Sequence, residues 1–470
     1  MAYGTAFAQH STDSASDSYT GDTPYEATAH TSVIASDGGK AEAGAEAEVD
    51  DESDGKADAN ATATAEGDGC EVEATADAKL EDGKGTAYAN ANYAATGEGN
   101  EIASGDLKAQ VEEGGEGNAE ATATKTATGK DNEIAKIKVN AKIEEDGKGD
   151  ATVHLNAVVI GEGNEVTKSD VMEATVQEGG EGNAHLEINL IAMGEGSKAV
   201  TPKTKVKVEG DGAEGNASAS ANVIAIGEDC TATLKNEFKA QVEDGAKGDA
   251  NASANIIAIG DSCEAEGKVS ASVEGEGTEG DANASGNAIA KGEDCEAEVE
   301  ADAGIEEGAK GDATATANAI VVGHHSAVTA EAEAEVKDGA KGDANAGANA
   351  ASIGMGSEAE AVSEAKLEGD VEGNANAYST AIAGSGGTAK ASSKSEIADN
   401  DVNASEFAVD FDMDIGGIAF ALSETDAETG EVTTKSFSLS FLPFVNTESE
   451  AEANQDGVVT AEADVSYSTP

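Results

Sequence analysis

Four cysteines, long ladders of glutamate and one histidine pair are the residues of this chain whose chemistry could go beyond packing. Cys70, Cys230, Cys263 and Cys295 each follow a short turn, in "EGDGC", "GEDC", "GDSC" and "GEDC". Elsewhere the same place holds Asn100, Asn132, Asn164, Ser197, Ser326 or Ser357. A place shared by Cys, Asn and Ser argues against deep core and for an edge, where Cys230, Cys263 and Cys295 would form a row of thiols. Parallel stacked side chains suit disulfide geometry poorly within one chain, and facing edges of two molecules suit it better. All four are therefore candidates for intermolecular disulfides, with a small semi-buried thiol as the other reading. No CxxC occurs, so neither a zinc ribbon nor a redox motif is supported.

The carboxylates come in alternating runs. "CEAEVEADAGIEEG" from Cys295 puts Glu296, Glu298 and Glu300 on one parity, and "SAVTAEAEAEVKDG" from Ser326 does the same with Glu331, Glu333 and Glu335. If such runs stack as strands, like charges lie about 4.8 Å apart and repel. Lysines are too few to neutralise them. Calcium or magnesium bound diffusely along the ladders would relieve the repulsion; the other reading is a solvated face that keeps the protein soluble. "DFDMDIGG" at Asp410–Gly417 begins like a calcium loop, but Ile415 and Ala421 stand where an EF-hand needs Gly and Glu. His324 and His325 fall in a turn and read as solvated. No nucleophile elbow, P-loop, zincin or dinucleotide motif is present, so an enzyme is not expected. Asn60, Asn216, Asn251, Asn283 and Asn403 begin N-A-[ST] sequons, which matter only if the chain is secreted in a glycosylating organism.

What must position these residues is a repeat. One glycine recurs at Gly85, Gly117, Gly149, Gly182, Gly215, Gly248, Gly280, Gly311, Gly342 and Gly373, at spacings of 31 to 33, and a second series runs from Gly97 to Gly354. Weaker copies reach back to Tyr25. Each unit has two arms. The first, as in "DANASANIIAIG", alternates Ala or larger apolars with Asn, Ser, Thr or His, the period of a half-buried strand. An Asn recurs in its middle (Asn156, Asn189, Asn222, Asn255, Asn287, Asn318, Asn349), and beyond it apolar residues such as Ile224, Ile289 and Ile320 take the other parity, which predicts a bend or bulge at the Asn. The second arm is the alternating carboxylate run. Two strands and two turns in about 32 residues predict an all-β fold, a β-solenoid of stacked two-strand units, with a two-layer antiparallel β-meander as the alternative.

The array occupies residues 1–400, about twelve units. Residues 401–470 differ: six of the eight Phe lie between Phe407 and Phe444, and the region reads as a C-terminal β cap or coupling element. Aromatics are 3% of the chain, Arg is absent, and Ala and Gly dominate, so only thin, closely approaching layers can be packed. The net charge of −66 excludes a nucleic-acid footprint and an anionic membrane surface. No run is apolar enough for membrane insertion. The start, "MAYGTAFAQH", has no charged n-region or apolar h-region, so an ordinary signal peptide is not expected there.

A long acidic array without a catalytic anomaly predicts a structural, self-assembling protein whose partner is itself. In its low aromatic content, Ala/Gly-rich acidic β-repeats and edge cysteines at Cys230, Cys263 and Cys295, the chain resembles the tubular sheath proteins of filamentous methanogenic archaea. That resemblance implies an extracellular location in the cell envelope and amyloid-like, disulfide-joined β-rich hoops. The alternatives are a viral or bacterial surface fibre, an adhesin rod borne on a virion or cell, and, less favoured, an ice-binding solenoid, since "ATATKTATG" and "ATATAN" supply outward Thr pairs in only a few units.

Overall fold

A computed structural model describes the backbone from Ala2 to Tyr467, except residues 21–24, 51–54, 82, 103–104, 113, 135–136, 167–170, 369–372, 384–387, 398–403, 415–416, 429–430, 441–444 and 454–457. Side chains are described between Glu26 and Ser395, with a few further gaps. Among the described residues there are strands and turns and no helix. The strands pair in parallel as stacked coils of about 32 residues, about 11 turns in all, and form a β-solenoid. The antiparallel meander is thereby excluded for the array.

The chain divides into two compact units. One comprises Met1–Gly227 and Thr233–Gly248, and the other Glu228–Ala232 and Asp249–Pro470. In the second, each coil is one first-arm strand and one second-arm strand. Ala250 lies beside Ala282, Ala282 beside Ala313, Ala313 beside Ala344 and Ala344 beside Ala375. The second arms follow the same order, Glu264 beside Glu296, Glu296 beside Ala327 and Ala327 beside Glu358. In the first unit, Ala119, Ala151, Ala184 and Ala217 stack likewise. There some second arms are interrupted: Lys198–Val200 and Lys203–Glu209 are separated by Thr201 and Pro202, and a proline cannot donate to the ladder.

The two glycine series are the corners of the coil. Gly161 has φ of 135°, and a Cβ there would lie 1.7 Å from the carbonyl oxygen of Gly129 in the coil before it. At the other corner, Gly149 has φ of 142° and its Cβ would lie 1.9 Å from the Gly117 carbonyl oxygen. The corner is left-handed and stacked so closely that only hydrogen fits. Corner amides bond from coil to coil, as Gly129 N–H does to Ile160 O and Gly161 N–H to Met193 O, at 2.9 and 2.8 Å.

The expected bulge at the mid-arm Asn is absent. Registers run unbroken through Asn189 and Asn222, and through Asn287 and Asn318. The alternation of sides continues past the Asn, so Ala225 and Ala290 remain inside while Ile224 and Ile289 point outward. The apolar shift is thus a change in what the outer surface is made of. The interior also varies from coil to coil, and its largest side chains lie in the first unit. Met172, Leu155, Leu186, Ile188 and Leu190 are fully buried in the first. In the second, Ala252, Ala284, Ala315, Ala346 and Ala377 form one buried column. Where Val299 reaches across this thin interior, Gly286 stands opposite, and a Cβ on Gly286 would lie 2.3 Å from Val299 Cγ2.

The C-terminal region breaks the parallel rule. The strand Ala404–Asp414 pairs in parallel with Ala375–Ala383, but then antiparallel with Gly417–Glu428, which pairs antiparallel with Glu431–Ser440. Val458–Tyr467 runs antiparallel to both Thr388–Ile397 and Val445–Ala453. The side chains from Phe407 to Phe444, including those of the calcium-loop-like stretch, lie outside the described residues.

Candidate functional site

The thiols sit at the corner that follows each first arm. The residue before each adopts a left-handed turn, with φ of 53° at Asp229, 54° at Ser262 and 54° at Asp294. This turns the next side chain inward. Cys70, Cys230, Cys263 and Cys295 are 1, 0, 2 and 2% exposed, so the expected edge row open to a neighbouring molecule is not what the fold produces. The Asn and Ser residues of the same column explain the misreading. Asn100 Oδ1 accepts from Cys70 N–H at 2.8 Å, Asn132 Oδ1 from Asn100 N–H at 2.9 Å, and Ser326 Oγ from Cys295 N–H at 3.1 Å. The column is polar because it satisfies buried amides, not because it faces water. Cys230 Sγ and Cys263 Sγ lie 2.8 Å apart in thiol–thiol contact, with no disulfide between them. Burial, and then the Cys230 thiol beside it, push Cys263 up to about 12. Such a thiol is a poor nucleophile at neutral pH.

The second-arm strands carry the carboxylates outward, as expected. In the Asp249–Pro470 unit, Glu264 stacks on Glu296, Glu266 on Glu298 and Glu300 on Glu331. Asp302 stacks on Glu333, and Gly304 on Glu335. Lysines are spent two carboxylates at a time. Lys268 reaches Glu300 and Asp302, Lys337 reaches Glu306 and Glu335, and Lys366 reaches Glu333 and Glu364. No described ion pair includes Glu264, Glu266, Glu296 or Glu298. Desolvation and neighbouring carboxylates raise Glu264, Glu298 and Glu331 above the usual carboxylate range, whereas Glu364, held by Lys394 and Lys366 against its desolvation, falls below it. Among the described residues no group of three or more His, Cys, Asp or Glu side chains is arranged to hold a metal ion. His324 Nδ1 accepts from Met355 N–H at 3.0 Å, and His325 is an exposed turn residue with φ of 55°.

The first-arm strands present a different outer surface, which sequence reasoning missed. The mid-arm asparagines form amide ladders: Asn287 Nδ2 donates to Asn255 Oδ1 at 3.1 Å, Asn318 to Asn287 at 3.1 Å, and Asn349 to Asn318 at 2.9 Å. Asn283 of one sequon donates to Asn251 of another at 3.1 Å. Beside the amides run two apolar columns. Ile257, Ile289 and Ile320 form one, and Ile259, Lys291, Val322 and Ile353 the other. Ile289, Ile320 and Ile353 are 36, 39 and 58% exposed. The signal was present in the sequence, since the number of residues between corner glycines on this arm does not change, and a bulge would add one.

A lysine is buried in the first unit. Lys125 is 1% exposed, and its Nζ sits 4.5 Å from the ring centre of Tyr93 in the neighbouring coil. Nζ has no hydrogen-bond acceptor, and burial pulls its pKa down to about 7. Tyr93 is itself buried and donates to Ala74 O at 2.6 Å. No family model, curated protein or solved structure matches the chain.

Proposed function

We propose that this chain is a structural protein that self-assembles into an extracellular β-rich polymer, a cell sheath or filament of the kind the tubular sheath proteins of methanogenic archaea form. The observation that carries the reading is the unbroken in-register stacking of near-identical coils. Repetition of this kind makes a regular surface rather than a single cleft, and regular surfaces suit repeated copies of one partner. The −66 charge supports an exposed, strongly hydrated exterior and argues against nucleic acid as a partner. A surface fibre is the second reading. It is favoured by the C-terminal antiparallel strands, which take up the strand edges of Ala404–Asp414 and Thr388–Ile397 and so oppose growth by stacking one more parallel coil there.

Because the thiols are buried, assembly in this reading is non-covalent. Negative-stain microscopy of native material tests it. Tubes or long filaments are expected, discrete unassociated rods at the cell surface would favour the fibre, and a dispersed protein inside the cell would sink both.

A further inference from the structure

We propose that the outer face of the first-arm strands in the Asp249–Pro470 unit is a self-association surface, on which a second copy of this chain packs sheet against sheet. The inference rests on the polymer reading above and names the surface that would serve it. Charge is the first argument. Lys291 is the one charged side chain among the described outward residues of Ala250–Ile259, Ala282–Lys291, Ala313–Val322, Ala344–Ile353 and Ala375–Ala383. The chain as a whole is 26% charged with a net charge of −66, and the second-arm strands of the same coils carry carboxylates at most outward positions. Two copies repel wherever both present carboxylates. They can approach closely where neither does.

Area is the second argument. Five strands of about ten residues, at about 3.3 Å per residue and about 4.8 Å between strands, make a face of about 800 Å², which is the share one partner contributes to a standard stable interface. Composition is the third. Two outward columns carry Ile and Val, interrupted by Lys291 and Ala351, and the others carry mostly Asn, Ser and Thr, an apolar strip beside neutral polar groups whose mid-arm amides already bond along the stack. A two-fold axis lying along the strand direction brings the Ile columns of the two copies together and the Asn columns together. It runs the two stacks in opposite directions and pairs two copies, so growth into a polymer takes a further contact elsewhere on the chain. A cationic partner would be drawn to the glutamate face instead, and an anionic one would be repelled by the whole molecule.

The test is sedimentation velocity of the full-length chain over a concentration series, at low and high salt. Association should strengthen as salt screens the charged remainder of each copy. The double substitution Ile289→Glu with Ile320→Glu should weaken it at least tenfold, Ile320→Ser should weaken it less, and Glu331→Gln on the other face should leave it no weaker. Circular dichroism checks that each variant keeps its β-structure, and the salt arm needs no variant. If the chain associates but the Ile substitutions change nothing, or if salt weakens association, this face is the wrong surface and the polymer reading survives. If the unmodified chain stays monomeric at every concentration, both are overturned.

Discussion

The two units of the molecule solve one backbone problem with two different interiors. In Met1–Gly227 two coils are filled by Leu155, Leu186, Ile188 and Leu190, others of the same unit are lined by Ala such as Ala89, Ala121 and Ala219, and one encloses Lys125. In Asp249–Pro470 the same positions are mostly Ala, with thiols at the corner. Burying a Leu or Ile is worth about 1.5–3 kcal/mol, and an Ala methyl much less. Yet the first-arm strands Ala151–Ile160 and Ala184–Met193 keep the ten-residue length of Ala250–Ile259 and the same unbroken register. What the units share is the corner glycine, the coil-to-coil amide bonding and the strict alternation. The difference teaches that the coil depends first on its corners and ladders, and that side-chain volume inside is adjustable around them.

The largest effect expected from breaking this comparison is at Lys125. A lysine pKa lowered to about 7 in the folded chain, against 10.5 unfolded, carries a penalty that is complete below pH 7 and gone above pH 10.5. Stability should therefore rise with pH between those limits, up to the point near pH 10 where the Tyr93 phenol, kept neutral by burial, begins to ionise in the unfolded chain. Lys125→Met should remove that slope and stabilise the protein at pH 7 by about 4 kcal/mol, measured by chemical denaturation at pH 7 and 9. A flat profile in the unmodified chain would mean that the ammonium reaches water.

Corner substitutions come next and should make the units alike. Gly161→Ala in one unit and Gly292→Ala in the other each put a Cβ 1.7 Å from the carbonyl oxygen of the preceding coil's glycine. Each should cost about 3 kcal/mol, regardless of the interior beside it. If only the Ala-filled unit were sensitive, volume rather than the corner would be setting stability.

Much of this was legible in the sequence. The two glycine series marked the corners, and the period-two arms marked the strands, because both obey local steric rules that need no knowledge of neighbours. The outward glutamates were legible for the same reason. Three features were not. The burial of Cys230, Cys263 and Cys295 depends on a left-handed residue before each of them, and Asp or Ser at that place looks like an ordinary exposed turn. The outward Ile columns resembled a register change because apolar residues are expected inside. Lys125 stands where other coils have Ala157 or Leu190, and only the stacking on Tyr93 shows what accommodates it.

Thiol chemistry sharpens the contrast at the corner. With Cys263 near 12 rather than 9, its thiolate fraction at neutral pH falls on the order of a thousandfold. Iodoacetamide should leave Cys70, Cys230, Cys263 and Cys295 unlabelled in the folded protein and label all four in denaturant, as read by mass spectrometry. Rapid labelling of Cys263 in the native state would show that the corner opens, and native material that runs as disulfide-linked oligomers without reductant would show that neighbours reach the thiols after all.

The smallest expected effect lies on the glutamate face, where the units differ again. In Met1–Gly227 outward carboxylates are met by lysine, as where Lys40 reaches Glu42, Glu71 and Glu73, and Lys79 reaches Glu81 and Glu112. In Asp249–Pro470 Glu264, Glu266, Glu296 and Glu298 stack with no lysine among them. A carboxylate raised above its unfolded pKa, as at Glu264, Glu298 and Glu331, carries a penalty that is present above its folded pKa and disappears as pH falls toward about 4.5. Glu364, lowered by its lysines, contributes the opposite way and is lost below about 4.5. Tm should therefore rise on mild acidification and fall again below that point. Glu298→Gln should stabilise the folded chain at pH 7 by about 0.5 kcal/mol, since like charges directly opposed across a ladder cost about that much. Calcium or magnesium should raise the Tm of the unmodified chain in low salt and do less for the Gln variant. Should the substitution be neutral and the divalent cations without effect, water alone is screening the stack, and the ladder is a solvated surface with no ionic partner.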